Sequence, residues 1–353
     1  MAEPKILDVP RIDFKVGESA FSPVAALVAT LRTVGEKVTY PYLMGISGGA
    51  FRLHWTEDID PSSASVSSES PAQIGARALG YDLREHGGLP EAEAWKLITQ
   101  SIDAGTPVPA CGVVPPPEWQ VICGYGGIGK NRKLYVESYF DPDPGKPSET
   151  PFKRWTGWGS RGGMVNPFAI LRKKGAIPSH HVAAFEALGR AVSLAREEEF
   201  SVSAAESTDT EPHEGHWTSG LAAYDAWAIS LGGEMLAKAA PKALFVTDLT
   251  AYTLQDARTC AAGFMDALSG EFPSARKHFE AAKEAYGKEV AMLKVVRDLV
   301  PYPWEQHPKV NPAEVAVFAK PGVRDQWAST LAKCRDLDAK AVQELEAAIG
   351  ALH

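Results

Sequence analysis

Cysteine is scarce in this chain of 353 residues, which contains only Cys111, Cys123, Cys260 and Cys334. No two of them have the Cys-x-x-Cys spacing that is typical of zinc sites and redox pairs. Four scattered cysteines are also too few for the disulfide framework of a secreted domain. We therefore expect reduced thiols and a cytoplasmic location.

Long apolar segments are missing as well. No stretch approaches the roughly 20 consecutive apolar residues that a membrane-spanning helix needs. The first residues, Met1-Ala2-Glu3-Pro4-Lys5, do not have the charged and then apolar pattern of a secretory signal. The sequence therefore predicts no membrane partner.

Positively charged residues are also fewer than negatively charged ones. The chain has 36 Lys and Arg against 44 Asp and Glu, which gives a formal net charge of −8. The longest basic run is Arg172-Lys173-Lys174. Nucleic-acid affinity depends on neutralising phosphates, so this balance predicts no nucleic-acid partner. The hydrophobic content of 45% and the charged content of 23% are those of an ordinary globular protein.

The first half of the chain combines helical patterns with short β-rich segments. The helices are expected over residues 23–34, from an N-cap at Ser70-Pro71, and from Pro90 to Gly105. Proline and glycine clusters then separate three apolar segments that are typical of consecutive antiparallel strands. These segments cover residues 107–114, 119–125 and 134–140.

From Ser179 onward the pattern is helical, apart from the polar segment Glu199–Glu214, which predicts a loop. A connection rich in glycine, proline and tryptophan covers residues 145–178. We therefore predict an α+β domain with an antiparallel sheet over residues 1–175. An all-α C-terminal helical region is predicted to follow over residues 176–353.

Three short segments resemble the catalytic segments of one enzyme family. Phe21–Leu27 has the sequence Phe-Ser-Pro-Val-Ala-Ala-Leu, and Glu118–Tyr125 has the sequence Glu-Trp-Gln-Val-Ile-Cys-Gly-Tyr. The third segment is Tyr139-Phe140-Asp141-Pro142. In this order they resemble the nucleophile helix, the histidine strand and the Asp-Pro of papain-like peptidases of the bacteriocin-processing C39 type. The resemblance implies a papain-like α+β fold over about residues 15–145.

The same resemblance implies that the family's chemistry is absent. Phe21 stands at the position of the catalytic cysteine, and Glu118 stands at the position of the histidine. A thiolate–imidazole pair needs both partners, because the base removes the proton that makes the nucleophile. The expected ligand-binding residues are Phe21, Glu118, Trp119 and Asp141. Trp119, Trp155 and Trp158 could form an aromatic wall beside the cleft, and the competing interpretation is core packing, which is the commoner use of aromatic clusters.

The second half of the chain resembles a different protein family. Gly220-Leu221-Ala222-Ala223-Tyr224 lies in a helical texture that resembles the helical part of proteins related to the butirosin-biosynthesis acyltransferases.

Ser47 lies in Gly45-Ile46-Ser47-Gly48-Gly49, which matches the Gly-x-Ser-x-Gly elbow of serine hydrolases. The elbow needs a strand before the serine, here residues 38–42, and a helix after it, here residues 50–55. The competing interpretation is a glycine-rich turn with Ser47 as a cap. Glu118 and Asp141 form the other catalytic candidate, because two neighbouring carboxylates can act as acid and base. The competing interpretation is a surface glutamate after three prolines and a turn aspartate before Pro142.

Two further motifs have a structural interpretation that competes with a functional one. Gly124–Asn131 nearly matches a phosphate-binding loop, but Asn131 replaces the hydroxyl residue and a strand is expected to follow, which favours a hairpin loop. His213 and His216 have a spacing that metal pairs use, and Asp225 or Glu234 could complete the set. A solvated junction is the favoured interpretation, so the sequence predicts no metal and no cofactor.

We therefore expect a catalytically degenerate papain-like domain that binds a small molecule or a peptide segment in its cleft. The alternative is a hydrolase or acyltransferase that uses Ser47 or the pair of Glu118 and Asp141. The cysteines are expected to be structural rather than nucleophilic, and neither Cys111 nor Cys123 is followed by a helix whose positive end could stabilise a thiolate. The C-terminal helices are expected to offer a surface for a homo-oligomer.

Overall fold

A computed structural model describes residues 3–64, 66–67, 69–115, 118–139, 145–156, 167–173, 176–202, 215–233, 240–302 and 311–352. These residues divide into two compact units. The first lies within Met1–Ser47 and Glu69–His180, and the second within Gly48–Ser68, His181–Ser203 and Glu214–His353. The protein is mixed α+β, with an antiparallel sheet in the first unit and a helical C-terminal part.

The first unit is built on a seven-stranded sheet in which every pairing is antiparallel. The strand order is β3-β8-β4-β5-β6-β7, and β1 pairs separately with β5. Antiparallel neighbours are what the closely spaced strand patterns predict, and this prediction is confirmed. The strands are β1 (Lys5–Ile6), β3 (Tyr81–His86), β4 (Val108–Cys111), β5 (Trp119–Gly126), β6 (Lys133–Glu137), β7 (Ser148–Pro151) and β8 (Phe168–Lys173).

Five helices accompany this sheet in the described residues of the first unit. Two of the predicted starts are confirmed, because a proline occupies the first turn of α1 and the Ser70 hydroxyl accepts a hydrogen bond from the Gln73 amide. The five helices are α1 (Ser22–Thr33), α2 (Tyr40–Ser47), α3 (Pro71–Ala78), α4 (Glu91–Asp103) and α5 (Phe152–Thr156).

Helix α1 is the central helix of the first unit. Every residue from Val24 to Leu31 is buried. A helix that is apolar on all sides needs neighbours on all sides, and α1 packs against β4 and β5 as well as α2 and α3. The core of the sheet lies elsewhere and contains Ile98, Ile122, Phe152, Trp155 and Phe168, so Trp155 is a core residue rather than part of an exposed wall.

The second unit contains a small three-stranded antiparallel sheet in the order β2-β10-β9. Its strands are β2 (His54–Trp55), β9 (Glu199–Val202) and β10 (Gly215–Ser219). The prediction of an all-α region after residue 176 is therefore wrong for these two short segments. Polar and apolar residues alternate in β9, and the pairing of β9 with β10 satisfies backbone groups of both segments.

Long helices make up most of the second unit. Their shared core includes Trp55 and Trp227, whose rings stack at 4.9 Å, and Trp327, whose ring lies 6.3 Å from that of Trp227. The helices are α6 (His180–Arg196), α7 (Gly220–Gly232), α8 (Ala240–Glu271), α9 (Arg276–Arg297), α10 (Pro312–Phe318) and α11 (Pro321–Leu352).

Within the described ranges, none of these helices combines the length and the apolar character needed to cross a bilayer. The cytoplasmic location and the homo-oligomer stay predictions. The predicted division at residue 175 between an α+β domain and a helical domain also stays a prediction.

Candidate functional site

Ser22, Glu118 and Trp119 meet at the start of α1. The Ser22 hydroxyl donates a hydrogen bond of 2.5 Å to Glu118 Oε2, and the Trp119 backbone N–H donates to Ser22 Oγ at 3.2 Å. Ser22 is the first residue of α1, whereas Glu118 directly precedes β5. Packing of α1 against β5 therefore brings together residues that are 96 positions apart.

Glu118 is partly exposed as a residue, but its carboxyl group is withdrawn from water. Burial raises the pKa of this carboxyl, and the hydrogen bond from Ser22 lowers the pKa in part. Glu118 therefore holds its proton to a higher pH than a solvated glutamate does. Such a carboxyl can accept a proton, donate one, or attract a cation into the site.

Phe21 lies beside this group as the N-cap residue of α1 and is 4% exposed. Its backbone N–H donates to the Tyr40 hydroxyl at 2.7 Å, and its carbonyl accepts from the Ala25 N–H at 3.0 Å. The aromatic side chain is thus packed into the protein at the start of the helix. Burying it contributes about 2 kcal/mol to the free energy of unfolding.

The other predicted ligand residues are Trp119 and Asp141. Trp119 is partly exposed at the first position of β5. Asp141 and Trp158 lie outside the described residues, so the predicted pairing of Asp141 with Glu118 stays a prediction. Tyr139 is buried near that segment, and its ring lies edge-on to Phe14 at 5.8 Å.

Ser47 is the last residue of α2, and its hydroxyl donates to the Met44 carbonyl at 3.2 Å. A helix therefore precedes the serine, and the expected strand over residues 38–42 is wrong. The expected helix over residues 50–55 is also wrong, because β2 forms there. Ser47 is buried and lies in a helix-to-turn context instead of the strand–turn–helix of a nucleophile elbow.

The two remaining sequence motifs are the near-match to a phosphate-binding loop and the histidine pair. Gly124–Gly126 form the end of β5, and residues 127–131 lead to β6, which pairs antiparallel with β5, so the predicted hairpin loop is confirmed. His216 lies in β10 with its Nδ1 at 2.8 Å from Ser201 Oγ, and His213 lies outside the described residues. Among the residues that the structure describes, no group of three His, Cys, Asp or Glu side chains is arranged to hold a metal ion.

The cysteines are expected to react slowly with thiol reagents. Cys123, Cys260 and Cys334 are buried, whereas Cys111 is partly exposed, and burial raises the pKa of the Cys260 and Cys334 thiols. Because the thiolate is the reactive form, native protein treated with iodoacetamide at pH 8 should gain at most one adduct, at Cys111. Intact-mass spectrometry tests this, with urea-unfolded protein as the control for four adducts. Rapid native modification of Cys260 would contradict the prediction.

A serine–histidine pair in the second unit was not predicted from the sequence. His54 Nδ1 lies 2.6 Å from Ser219 Oγ, and the Ser219 hydroxyl lies 3.4 Å from Glu197 Oε2. Burial, followed by the nearby charge of Arg52, lowers the pKa of His54 to about 3, so the imidazole is neutral. A hydroxyl beside a neutral imidazole resembles a nucleophile and its base. However, Ser219 is 0% exposed and His54 is 2% exposed, so we interpret the pair as a connection between β10 and β2.

A buried charge cluster in the second unit was also missed. Arg258 Nη2 lies 2.5 Å from Asp338 Oδ2 and 3.1 Å from the Tyr224 hydroxyl, and Arg258 Nη1 donates to the Ala50 carbonyl at 2.9 Å. Arg258 Nε lies 3.4 Å from Glu289 Oε2. These groups come from distant parts of the chain, and no sequence motif relates them.

Comparison with known proteins gives no family for this chain. No protein-family model matches the sequence, and no curated protein matches it.

Proposed function

We propose that the first unit is a papain-like domain of the C39 type that has lost the family's thiol chemistry and binds a small molecule or a peptide segment. The observation that carries this proposal is the hydrogen bond from Ser22 to Glu118 beside the buried Phe21. A phenylalanine cannot attack a carbonyl group. Three polar groups meet at the start of α1, namely the Ser22 hydroxyl, the Glu118 carboxyl and the Trp119 amide. They could hold a ligand by hydrogen bonds without any nucleophile.

Glu118 defines the ligand chemistry of this site. A buried carboxyl next to a serine hydroxyl can accept hydrogen bonds from a hydroxylated ligand or form an ion pair with an amine. A cation would favour the charged carboxylate and offset the effect of burial on its pKa. Trp119, which is partly exposed, offers an aromatic surface next to the carboxyl.

The test is a screen of primary amines, alcohols and short peptides by protein NMR, with the Trp119 amide as the reporter. Glu118→Gln keeps the shape and removes the charge, so we expect it to weaken amine binding about tenfold, which corresponds to about 1.4 kcal/mol. The change in the free energy of unfolding should stay within about 1 kcal/mol, because glutamine still accepts the hydrogen bond from Ser22. The exposed Glu93 on α4 provides the matched control, Glu93→Gln.

Two results would contradict this proposal. The first is that no amine, alcohol or peptide shifts the Trp119 amide. The second is equal weakening of amine binding by Glu93→Gln, because a distant surface charge would then account for the effect.

A second candidate is acyl transfer, and the distance of 2.5 Å between Ser22 Oγ and Glu118 favours it. In this reaction Ser22 Oγ bonds to the acyl carbon, the hydroxyl proton moves to the Glu118 carboxylate, and the leaving group departs with its electron pair. Water then releases the acid. Hydrolysis of p-nitrophenyl acetate that Ser22→Ala and Glu118→Gln both abolish would establish this candidate in place of the binding function. Ser47→Ala is the control serine.

A further inference from the structure

A cavity of about 290 Å³ lies in the first unit, along a face of α1. Its wall includes apolar side chains from Ile12 and from the Ala25, Val28 and Ala29 positions of α1. Neither Ser22 nor Glu118 lines it. The volume is just below the range for ligand sites, which is roughly 300–1,000 Å³, so the cavity suits a small ligand.

Ser19 is the polar group that points to a ligand. It lines the cavity, it is 6% exposed, and its hydroxyl has no hydrogen-bond partner among the described residues. A buried hydroxyl without a partner is unfavourable, and native proteins rarely contain one without a reason. A ligand oxygen in the cavity would accept the hydrogen bond that Ser19 can donate.

Two arginines and two carboxylates line the cavity, and Arg32 is the one of these four side chains without an ion pair among the described residues. Arg11 Nε donates to Asp13 at 2.7 Å, and Glu18 is paired with Lys15. Arg32 also lines the cavity, and its Nε donates to the Val38 carbonyl at 3.0 Å. This bond fixes the side chain but does not neutralise it. A guanidinium has five N–H donors, and within the described part of the chain the other four of Arg32 have no acceptor.

We propose that this cavity binds a small carboxylate with a short branched apolar body. Arg32 would bind the carboxylate, because its planar fork matches the two oxygens, and the Ser19 hydroxyl would donate to an oxygen of the ligand. The apolar body would pack against Ile12, Val28 and Ala29. The site goes beyond the binding function proposed above, because it shares no residue with the Ser22–Glu118 group.

The test uses 4-methylpentanoate as the probe and its uncharged amide as the matched ligand, titrated by calorimetry. We expect saturable binding of the carboxylate and at least tenfold weaker binding of the amide. Arg32→Gln should weaken carboxylate binding about tenfold, and Ser19→Ala about threefold. Arg84→Gln is the matched control, since Arg84 is an exposed arginine of the same unit that lies outside the cavity wall. It should change binding less than twofold.

Arg32→Lys protects the test against loss of the fold, because it keeps the charge and should retain an intermediate affinity. Absence of saturable carboxylate binding would overturn the proposal, and so would equal binding of the amide or an equal effect of Arg84→Gln. Glu118→Gln should leave carboxylate binding unchanged. A failure here is therefore distinguishable from a failure at the Ser22–Glu118 group, which the amine screen reports.

Discussion

Replacing Arg258 with methionine should lower the free energy of unfolding of the second unit by about 3–5 kcal/mol, because it leaves buried carboxyl groups without their cation. Arg258 is 1% exposed, and it contacts Asp338, Glu289 and Tyr224 at the same time. Methionine fills much of the volume but supplies none of the hydrogen bonds. Asp338 would then lose its ion pair in a site that water does not reach.

The measurement is urea unfolding followed by tryptophan fluorescence and circular dichroism. Arg335→Met is the matched control, since Arg335 pairs with Asp225 at 2.9 Å on the surface. That pair should contribute less than about 1 kcal/mol. Combining Arg258→Met with Asp338→Leu should recover part of the loss, because the unpaired carboxylate is also removed. Equal losses for Arg258→Met and Arg335→Met would show that the buried cluster does not stabilise the unit.

The second large effect is a loss of stability as pH rises from about 6.5 to 8. Burial raises the pKa of Glu289 to about 8, with a further increase from Asp338, although Arg258 and the hydrogen bond from Tyr224 oppose both. The folded protein therefore keeps a proton on Glu289 that the unfolded chain releases near pH 4.5. Between these values the free energy of unfolding should fall as pH rises, and above the folded pKa the slope should flatten.

His54 acts in the opposite direction at lower pH. Its pKa is lowered from 6.5 to about 3, so the unfolded chain binds the extra proton and stability rises with pH between those values. The two slopes offset each other between about pH 4.5 and 6.5. The decline due to Glu289 should therefore be visible above pH 6.5.

Glu289→Gln isolates the Glu289 contribution. The difference in the free energy of unfolding between Glu289→Gln and the unmodified protein should change with pH from 6.5 to 8, and the variant's own decline should be much shallower. Glu280→Gln, at an exposed position of the same helix, should follow the unmodified protein. Parallel pH profiles for the unmodified protein and Glu289→Gln would contradict a raised pKa at Glu289.

Local sequence signals correctly predicted the helices and the hairpin whose conformation depends on neighbouring residues. Pro23 and the apolar run after it predicted α1, and Ser70-Pro71 predicted the start of α3. The glycine-rich turn between two β-rich segments predicted the β5–β6 hairpin. In each case residues within one or two turns of each other determine the conformation.

The incorrect predictions concern segments whose conformation depends on residues far away in the sequence. The segment at residues 38–42 contains β-prone residues, but burial of Leu43 and Met44 accompanies a helix there instead. Strand β2 forms because it pairs with β10, which is more than 150 residues later in the chain. The Arg258 cluster joins groups 34, 80 and 208 positions away from that arginine, and no periodicity relates such positions.

Sequence signals likewise identified one part of the candidate site but not the rest of it. The family resemblance pointed to Glu118, but the hydroxyl that donates a hydrogen bond to Glu118 belongs to Ser22, one position beyond Phe21. Ser19 and Arg32 carry no motif, because their significance depends on the cavity they share. A hydroxyl without a partner can be recognised only when its surroundings are known.

Strand β1 has only two residues, yet it covers backbone groups of β5 that would otherwise face outward. Lys5 and Ile6 lie opposite Tyr125 and Gly124, and a Cβ at Gly124 would come within 2.5 Å of the Lys5 carbonyl oxygen. The glycine thus allows a close approach that no other residue would permit. Strand β4 pairs with β5 only from Trp119 to Ile122, so removing residues 3–7 would expose an open sheet edge beyond Ile122. Such an edge can template intermolecular aggregation, and β1 protects the protein against that outcome.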